Sequence, residues 1–228
     1  MIETVFLDLD NTILDFTHAE AVALRRALME TGLPAEDSVL ARYHAINQRQ
    51  WELLEAGILT REQVLTTRFE LLFQELGVQA DPRSVCDRYE GYLAEGHFLI
   101  PGALELLREL APRYDLYLAS NGAAAVQYSR LKKAGIGAYF KGVFISEEVG
   151  CDKPGKAFFD RCFAAILNFH RMTALMVGDS LTSDIQGGIN AEIRTCLYCP
   201  EGETSRRDII PDFVIRRLGE LPPLLETL

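Results

Sequence analysis

The residue types that could do chemistry begin near the amino end, where the apolar run Val5-Phe6-Leu7 is followed by the carboxylates Asp8 and Asp10 and the hydroxyl Thr12. A buried parallel strand is mostly Val, Ile, Leu and Phe, so these acids are expected at the carboxyl end of a strand, where open α/β sheets bind ligands. Strand alternation sends Asp8 and Asp10 to the same side, and paired acids on one face repel unless a cation or a shared proton compensates. That pattern points to a metal. One of the pair could then attack an electrophile while the other handles a proton, since carboxylates form acyl-phosphate intermediates. An isolated Asp-Leu-Asp is equally a strand end running into a helix-capping loop, so the partners further along decide.

Three later segments supply those partners: Ser120-Asn121-Gly122, Lys153-Pro154, and Gly178-Asp179 continuing to Asp184. Phosphoryl transfer spreads negative charge over the equatorial oxygens of a loose transition state, so its catalysis rests on positioning and positive electrostatics. Ser120 and neighbouring backbone N–H groups at the start of a helix can donate to those oxygens, and Lys153 can supply a point charge. Asp179 adds the hard oxygen ligand that Mg²⁺ requires beside Asp8. Asp184, one helical turn on, could hold a metal-bound water or Lys153. Alone, each segment is also a plausible turn, exposed loop or helix start. Together, in this order and each at an expected strand end, they form a phosphoryl-transfer constellation.

The elements that must position these groups follow from the apolar pattern. Strands are expected at 116–120, 142–145, 174–177 and 194–198, with an edge strand at 212–215. Helices are expected at about 123–134, 156–167 and 183–191. This alternation reads as an α/β, doubly wound, Rossmann-like parallel sheet.

Between the first strand and Pro101-Gly102 the strand character disappears. Residues 17–95 read as amphipathic helices broken near Gly32-Leu33-Pro34, Gly57 and 77–82, that is, an inserted helical module. Leu40, Tyr43, Asn47, Trp51 and Leu54 recur at helical spacing, so one stripe carries Asn47 inside it. Thr60 with Gln63 forms a capping-box pattern opening the next helix, whose stripe of Val64, Arg68, Leu71 and Leu72 carries Arg68. Buried polar groups need partners. Asn47 and Arg68 therefore either satisfy each other or a backbone group in the module's core, or contact a ligand. The domain expectation is a core of 1–16 and 97–228 with a cap at 17–96, joined by crossings near 15–17 and 97–102.

Composition bounds the function classes. With 228 residues and 48% hydrophobic content the chain can bury a full core. No apolar run reaches the roughly 20 residues of a bilayer span, and no signal-peptide pattern opens the chain, so a cytoplasmic protein with no membrane partner is expected. Five cysteines make an odd count that favours reduced thiols. Cys196 and Cys199 have redox or zinc spacing without a second pair or a histidine cluster, which favours strand-end packing. The net charge of −10 disfavours a nucleic acid polymer as partner. The segment 201–208 reads as a solvated loop.

On these residues the chain resembles the haloacid dehalogenase-like phosphohydrolase superfamily. All four of its motifs are present, from Asp8-Leu-Asp10 through Ser120-Asn121 and Lys153-Pro154 to Gly178-Asp179 and Asp184, with the helical insertion between the first and second motifs as in cap-bearing members. The resemblance implies that Asp8 is the nucleophile and that Asp10 protonates the leaving group and then activates water, with Ser120 and Lys153 completing the catalytic set. It implies Mg²⁺ held by Asp8, the backbone carbonyl of Asp10, and Asp179, with Asp184 behind them. Dehalogenases proper resemble this pattern but lack an acid at the position of Asp10, so a phosphatase is expected.

A narrower resemblance is to the house-cleaning pyrimidine 5'-nucleotidase branch. It rests on Ala45-Ile-Asn47 through Trp51, on Gly57 to Arg68-Phe-Glu70, on Ile145-Ser-Glu-Glu-Val-Gly150, and on Gly187-Gly188-Ile-Asn-Ala191. It implies a small phosphorylated substrate, a nucleoside 5'-monophosphate, contacted by Asn121 and, from the cap, by Asn47 and Arg68. Closure of the cap would exclude water during the reaction. The same-class alternative is a sugar phosphatase or phosphosugar mutase, and the alternative of another class is a catalytically silent metal- or protein-binding module. Either a monomer or a homodimer fits the sequence.

Overall fold

The computed structural model describes residues 1–202 and 208–228, so the loop expected at 201–208 lies, at 203–207, outside the described residues. Two compact units emerge, one formed by Met1–Asp15 with Leu99–Leu228 and the other by Phe16–Phe98. No helix among the described residues is long and apolar enough to cross a membrane.

The first unit is built on a six-stranded sheet. Its strands are β1 (Thr4–Leu7), β2 (Asp115–Ser120), β3 (Gly142–Ile145), β4 (Ala174–Gly178), β5 (Arg194–Tyr198) and β6 (Phe213–Ile215). They lie in the order β3-β2-β1-β4-β5-β6, every pair parallel. The expected strands are thus present, the edge strand starting one residue later, and the doubly wound Rossmann-like expectation holds. Strand order reverses at β1, whose Leu7 lies beside Leu118 of β2 and Val177 of β4. Sheets of this kind bind ligands in the crevice outside such a switch point.

Alternation along the strands splits the core between two faces. Val5, Leu7, Leu116, Leu118, Leu175 and Val177 pack on one face with Leu106, Leu107 and Leu110 of the helix Ala103–Leu110. Phe6, Tyr117, Ala119 and Met176 pack on the other with Phe158, Phe159 and Cys162 of the helix Lys156–Ala164. Because helices cover both faces, the strands must be apolar throughout, which is why they read as continuous runs. The helix expected at 183–191 instead opens as a wide π turn, Leu181–Ile185, in which Ile185 N donates to Ser180 O at 3.1 Å, and only Gln186–Asn190 is α-helical.

The second unit is four helices: α1 (Phe16–Glu30), α2 (Asp37–Glu55), α3 (Arg61–Leu76) and α4 (Pro82–Leu93). The capping box is formed, Gln63 N donating to Thr60 Oγ1 at 3.3 Å while Thr60 N donates to Gln63 Oε1 at 2.8 Å. The α3 helix ends on Gly77 in the left-handed region (φ 64°), and Asp81 caps α4 with Pro82 at its first position. Tyr43, Phe69 and Tyr89 cluster at the centre, with ring centroids 5.0 to 5.7 Å apart.

Candidate active site

Asp8 is the first residue past β1, its N–H donating to Val177 O of the neighbouring strand at 2.9 Å. The strand end therefore fixes the backbone from which the carboxylate projects. Lys153 reaches it from the loop after β3, where the Lys153–Pro154 peptide is cis. The Lys153 Nζ donates to Asp8 Oδ1 at 2.7 Å, to Asp184 Oδ1 at 2.6 Å and to the Ala119 carbonyl at 2.7 Å. All three donors of the ammonium are used, and it is buried.

Asp184 is brought to Lys153 by the turn after β4. Ser180 N donates to Asp184 Oδ2 at 3.0 Å, and Ser183 N donates to Ser180 Oγ at 3.1 Å. Gly178 makes room for this arrangement, since a Cβ there would overlap the Asp184 carboxyl. Asp179, adjacent in the same turn, completes a cluster in which one oxygen each of Asp8, Asp179 and Asp184 lie within 4.8 Å of one another.

Three acids in so small a volume carry an electrostatic cost. Burial raises the Asp8 pKa to about 8 against the pull of Lys153, and the nearby Asp184 and Asp10 carboxylates push it the same way. Burial, then Asp8 and Asp184, raise Asp179 well above the usual carboxylate range. Burial opposes the charge on Lys153, yet Asp184 and Asp8 hold its pKa above the ordinary lysine value. One lysine leaves the cluster short of positive charge. Carboxylate oxygens are the donor set a hard divalent cation such as Mg²⁺ takes, so these residues fit such an ion.

Asp8 and Asp10 take different partners. The strand ends at Leu7, so alternation no longer governs Asp10, and its carboxylate turns to the helix Ala124–Ala134. Arg130 Nη1 pairs with Asp10 Oδ1, and Gln127 Nε2 donates to Asp10 Oδ2 at 2.6 Å. Gln127 Nε2 also donates to Ser120 Oγ at 2.9 Å, and Arg130 Nη1 donates to Gln127 Oε1 at 2.9 Å. Sequence reasoning missed both residues. The signal was available: Gln127 and Arg130 share a buried stripe with Val126 and Leu131, which makes them polar intruders that need a partner.

Asn121 is held by the Lys153 backbone, its Nδ2 donating to Lys153 O at 2.9 Å and its Oδ1 accepting from Lys153 N at 2.8 Å. Its amide thus braces the lysine loop. Within the helical unit, Arg68 Nη1 donates to Asn47 Oδ1 at 3.2 Å, and Asn47 Nδ2 donates to Glu20 Oε1 at 2.7 Å. Arg68 Nη2 reaches Glu90 Oε1 at 3.3 Å. With Asn47 2% and Arg68 3% exposed, these two groups face each other and two glutamates rather than an open surface. These are the mutual contacts that the packing alternative expects.

The sequence profile of the haloacid dehalogenase-like hydrolases matches residues 2–192. The HAD-hydrolase YfnB of Bacillus subtilis, in a crystal form bound to magnesium, is similar at 41% identity with a TM-score of 0.94, covering 98% of each chain. The pyrimidine 5'-nucleotidase PynA of Streptococcus pneumoniae is 37% identical over 97% of this chain and 94% of its own length. The pyrimidine 5'-nucleotidase YjjG of Escherichia coli is 33% identical over 97% of this chain and 96% of its own.

Proposed function

The chain belongs to the haloacid dehalogenase-like hydrolases, and from that premise we propose that it is a Mg²⁺-dependent phosphomonoester hydrolase acting on nucleoside 5'-monophosphates through an aspartyl-phosphate. The observation that carries the chemistry is Asp8, held through Oδ1 by Lys153 and clustered with Asp179 and Asp184. Asp8, the Asp10 carbonyl and Asp179 would hold Mg²⁺, which would supply the positive charge that the cluster lacks and that a phosphoryl group needs.

Asp8 Oδ2 attacks phosphorus and forms the acyl-phosphate bond while the bond from phosphorus to the ester oxygen breaks. The electron pair leaves with that oxygen, which takes a proton from Asp10 and departs as the alcohol. Asp10 then removes a proton from water, whose oxygen attacks phosphorus and frees Asp8 with inorganic phosphate. Lys153 and the Ser120 hydroxyl stabilise the charge on the phosphoryl oxygens. Asp184 holds Lys153 in place.

The substrate class draws its support from the two relatives named as pyrimidine 5'-nucleotidases, each similar along nearly the whole chain, helical unit included. On this reading the helical unit is the cap and makes the choice among leaving groups. The test is phosphate release from pyrimidine and purine nucleoside monophosphates, hexose phosphates and phosphoglycolate, with Mg²⁺ and with EDTA, beside Asp8→Asn. Preference for pyrimidine nucleotides, lost with EDTA and in the variant, is expected. Metal-dependent release confined to hexose phosphates would overturn the substrate and keep the chemistry, and release by Asp8→Asn would overturn the nucleophile.

A further inference from the structure

Gln127 sits where three polar groups of the first unit meet, and its hydrogen bonds leave no freedom in how its amide points. Its Oε1 accepts from Arg130 Nη1 at 2.9 Å, so its Nε2 must face the other way. There its two protons go to Asp10 Oδ2 at 2.6 Å and Ser120 Oγ at 2.9 Å. Arg130, fully buried, also pairs with Asp10 Oδ1. Both Asp10 oxygens are therefore gripped from one helix. Gly122 is part of the same construction, because a Cβ at that position would overlap the Gln127 side chain.

The grip also settles what Ser120 can do. Its Oγ accepts from Gln127 Nε2 and from Gly122 N, the latter at 3.2 Å. A hydroxyl has two acceptor sites and one donor, so with both acceptor sites filled it is left to act as a donor. Each Asp10 oxygen has one acceptor site taken by the helix and another left for a proton.

We propose that Gln127 and Arg130 are positioning residues of the reaction: Arg130 sets the amide of Gln127, and Gln127 in turn aims the Asp10 carboxyl at the leaving group and the Ser120 hydroxyl at the phosphoryl oxygens. This rests on the phosphatase reading above. It makes the proton-handling group and a phosphate-binding group one mechanical unit, so an error in one is an error in both. Both residues act through Asp10 and Ser120, by the contacts given above.

The test is a leaving-group comparison in the full chain with Mg²⁺, using the alkyl phosphate of the panel above that is turned over fastest and 4-nitrophenyl phosphate. An alkyl leaving group needs the proton from Asp10, whereas 4-nitrophenolate leaves without one. In Gln127→Met, kcat/KM for the alkyl ester is expected to fall about tenfold to a hundredfold, up to the lower end of what general acid catalysis contributes, and by a markedly smaller factor for the aryl ester. Arg130→Lys should recover more of the alkyl-to-aryl ratio than Arg130→Met. Circular dichroism reports folding, and should the Arg130 variants fail to fold, Gln127→Met decides alone. Equal losses on both esters, or no loss, in folded Gln127→Met would overturn the proposal while leaving the phosphatase reading intact. A wild-type protein inert toward every ester would overturn both.

Discussion

The ammonium of Lys153 lies 2.7 Å from Asp8 Oδ1, and both residues are buried. The same ammonium serves Asp184 at 2.6 Å, so a single cation offsets two carboxylates as well as a backbone carbonyl. Lys153→Met would leave Asp8 and Asp184 facing each other without it. Breaking a buried ion pair by removing one partner typically costs about 3–5 kcal/mol, and that loss is expected here at neutral pH. Asp8→Asn keeps an acceptor for Lys153 and removes one of the crowded negative charges, so its stability should match or exceed that of the natural chain although turnover is lost. Denaturant unfolding of the two variants checks the contrast; equal stability in both would show that the ion pair does not hold the site.

The crowding of Asp8, Asp179 and Asp184 predicts how a metal affects stability. Burial and mutual repulsion raise Asp179 well above the usual carboxylate range, so a bound cation relieves a strain already present in the folded chain. Adding Mg²⁺ should raise Tm, and at a hundred times Kd the gain is about 2.7 kcal/mol. In Asp179→Asn the metal-free protein should melt at the same or a higher temperature, and the Mg²⁺ increment should shrink or vanish. A full increment in that variant would remove Asp179 from the ligand set. Calorimetry with and without EDTA makes the measurement.

Arg68 and Asn47 carry a different prediction. Arg68 is buried beside the Tyr43–Phe69–Tyr89 cluster and bonded to Asn47 and Glu90, while Asn47 is tied to Glu20. Arg68→Met should therefore destabilise the chain by about 3–5 kcal/mol, because Glu90 and the Asn47 carbonyl lose a charged partner. KM for the substrate should change less than about threefold, far from the loss of a charge-assisted contact. A KM raised tenfold or more in folded protein would return Arg68 to the substrate.

Much of this was legible in the amino-acid sequence because it depends on local pattern. Val5-Phe6-Leu7 before Asp8, and Leu116 to Ala119 before Ser120, can only be strands buried on both faces, and such strands leave polar residues at their carboxyl ends. Thr60 with Gln63 was a helix start by the same kind of rule. Asp10 was harder. Alternation holds only while the strand lasts, and three residues past Leu7 the carboxylate belongs to a helix 117 to 120 residues away in the chain. Asn47 and Arg68 showed as polar intruders in apolar stripes, but Glu20 and Glu90, which join them, come from neighbouring helices, and no local spacing announces that. The turn after Gly178 read as a plain helix start because the sequence does not reveal that Ser180 and Asp184 close a wider turn between them.

His44 gives the pH dependence of the helical unit. Its Nδ1 lies 2.5 Å from Glu20 Oε2, and Glu20 is buried and also accepts from Asn47 Nδ2. The hydrogen bond to Glu20 raises the His44 pKa above its ordinary value near 6.5, with partial burial opposing. A histidine whose folded pKa exceeds its unfolded one adds stability that is fully present below the unfolded pKa and is lost as pH rises through the folded pKa. The side chain is 44% exposed, so solvent screens the pair and the effect is small. His44→Gln should therefore lower Tm at about pH 5.5 and change it little at about pH 9, where the natural histidine is neutral too. Thermal melts of both proteins across that interval decide: a Tm difference that does not narrow with rising pH would mean that the imidazole contributes by packing and not by its charge.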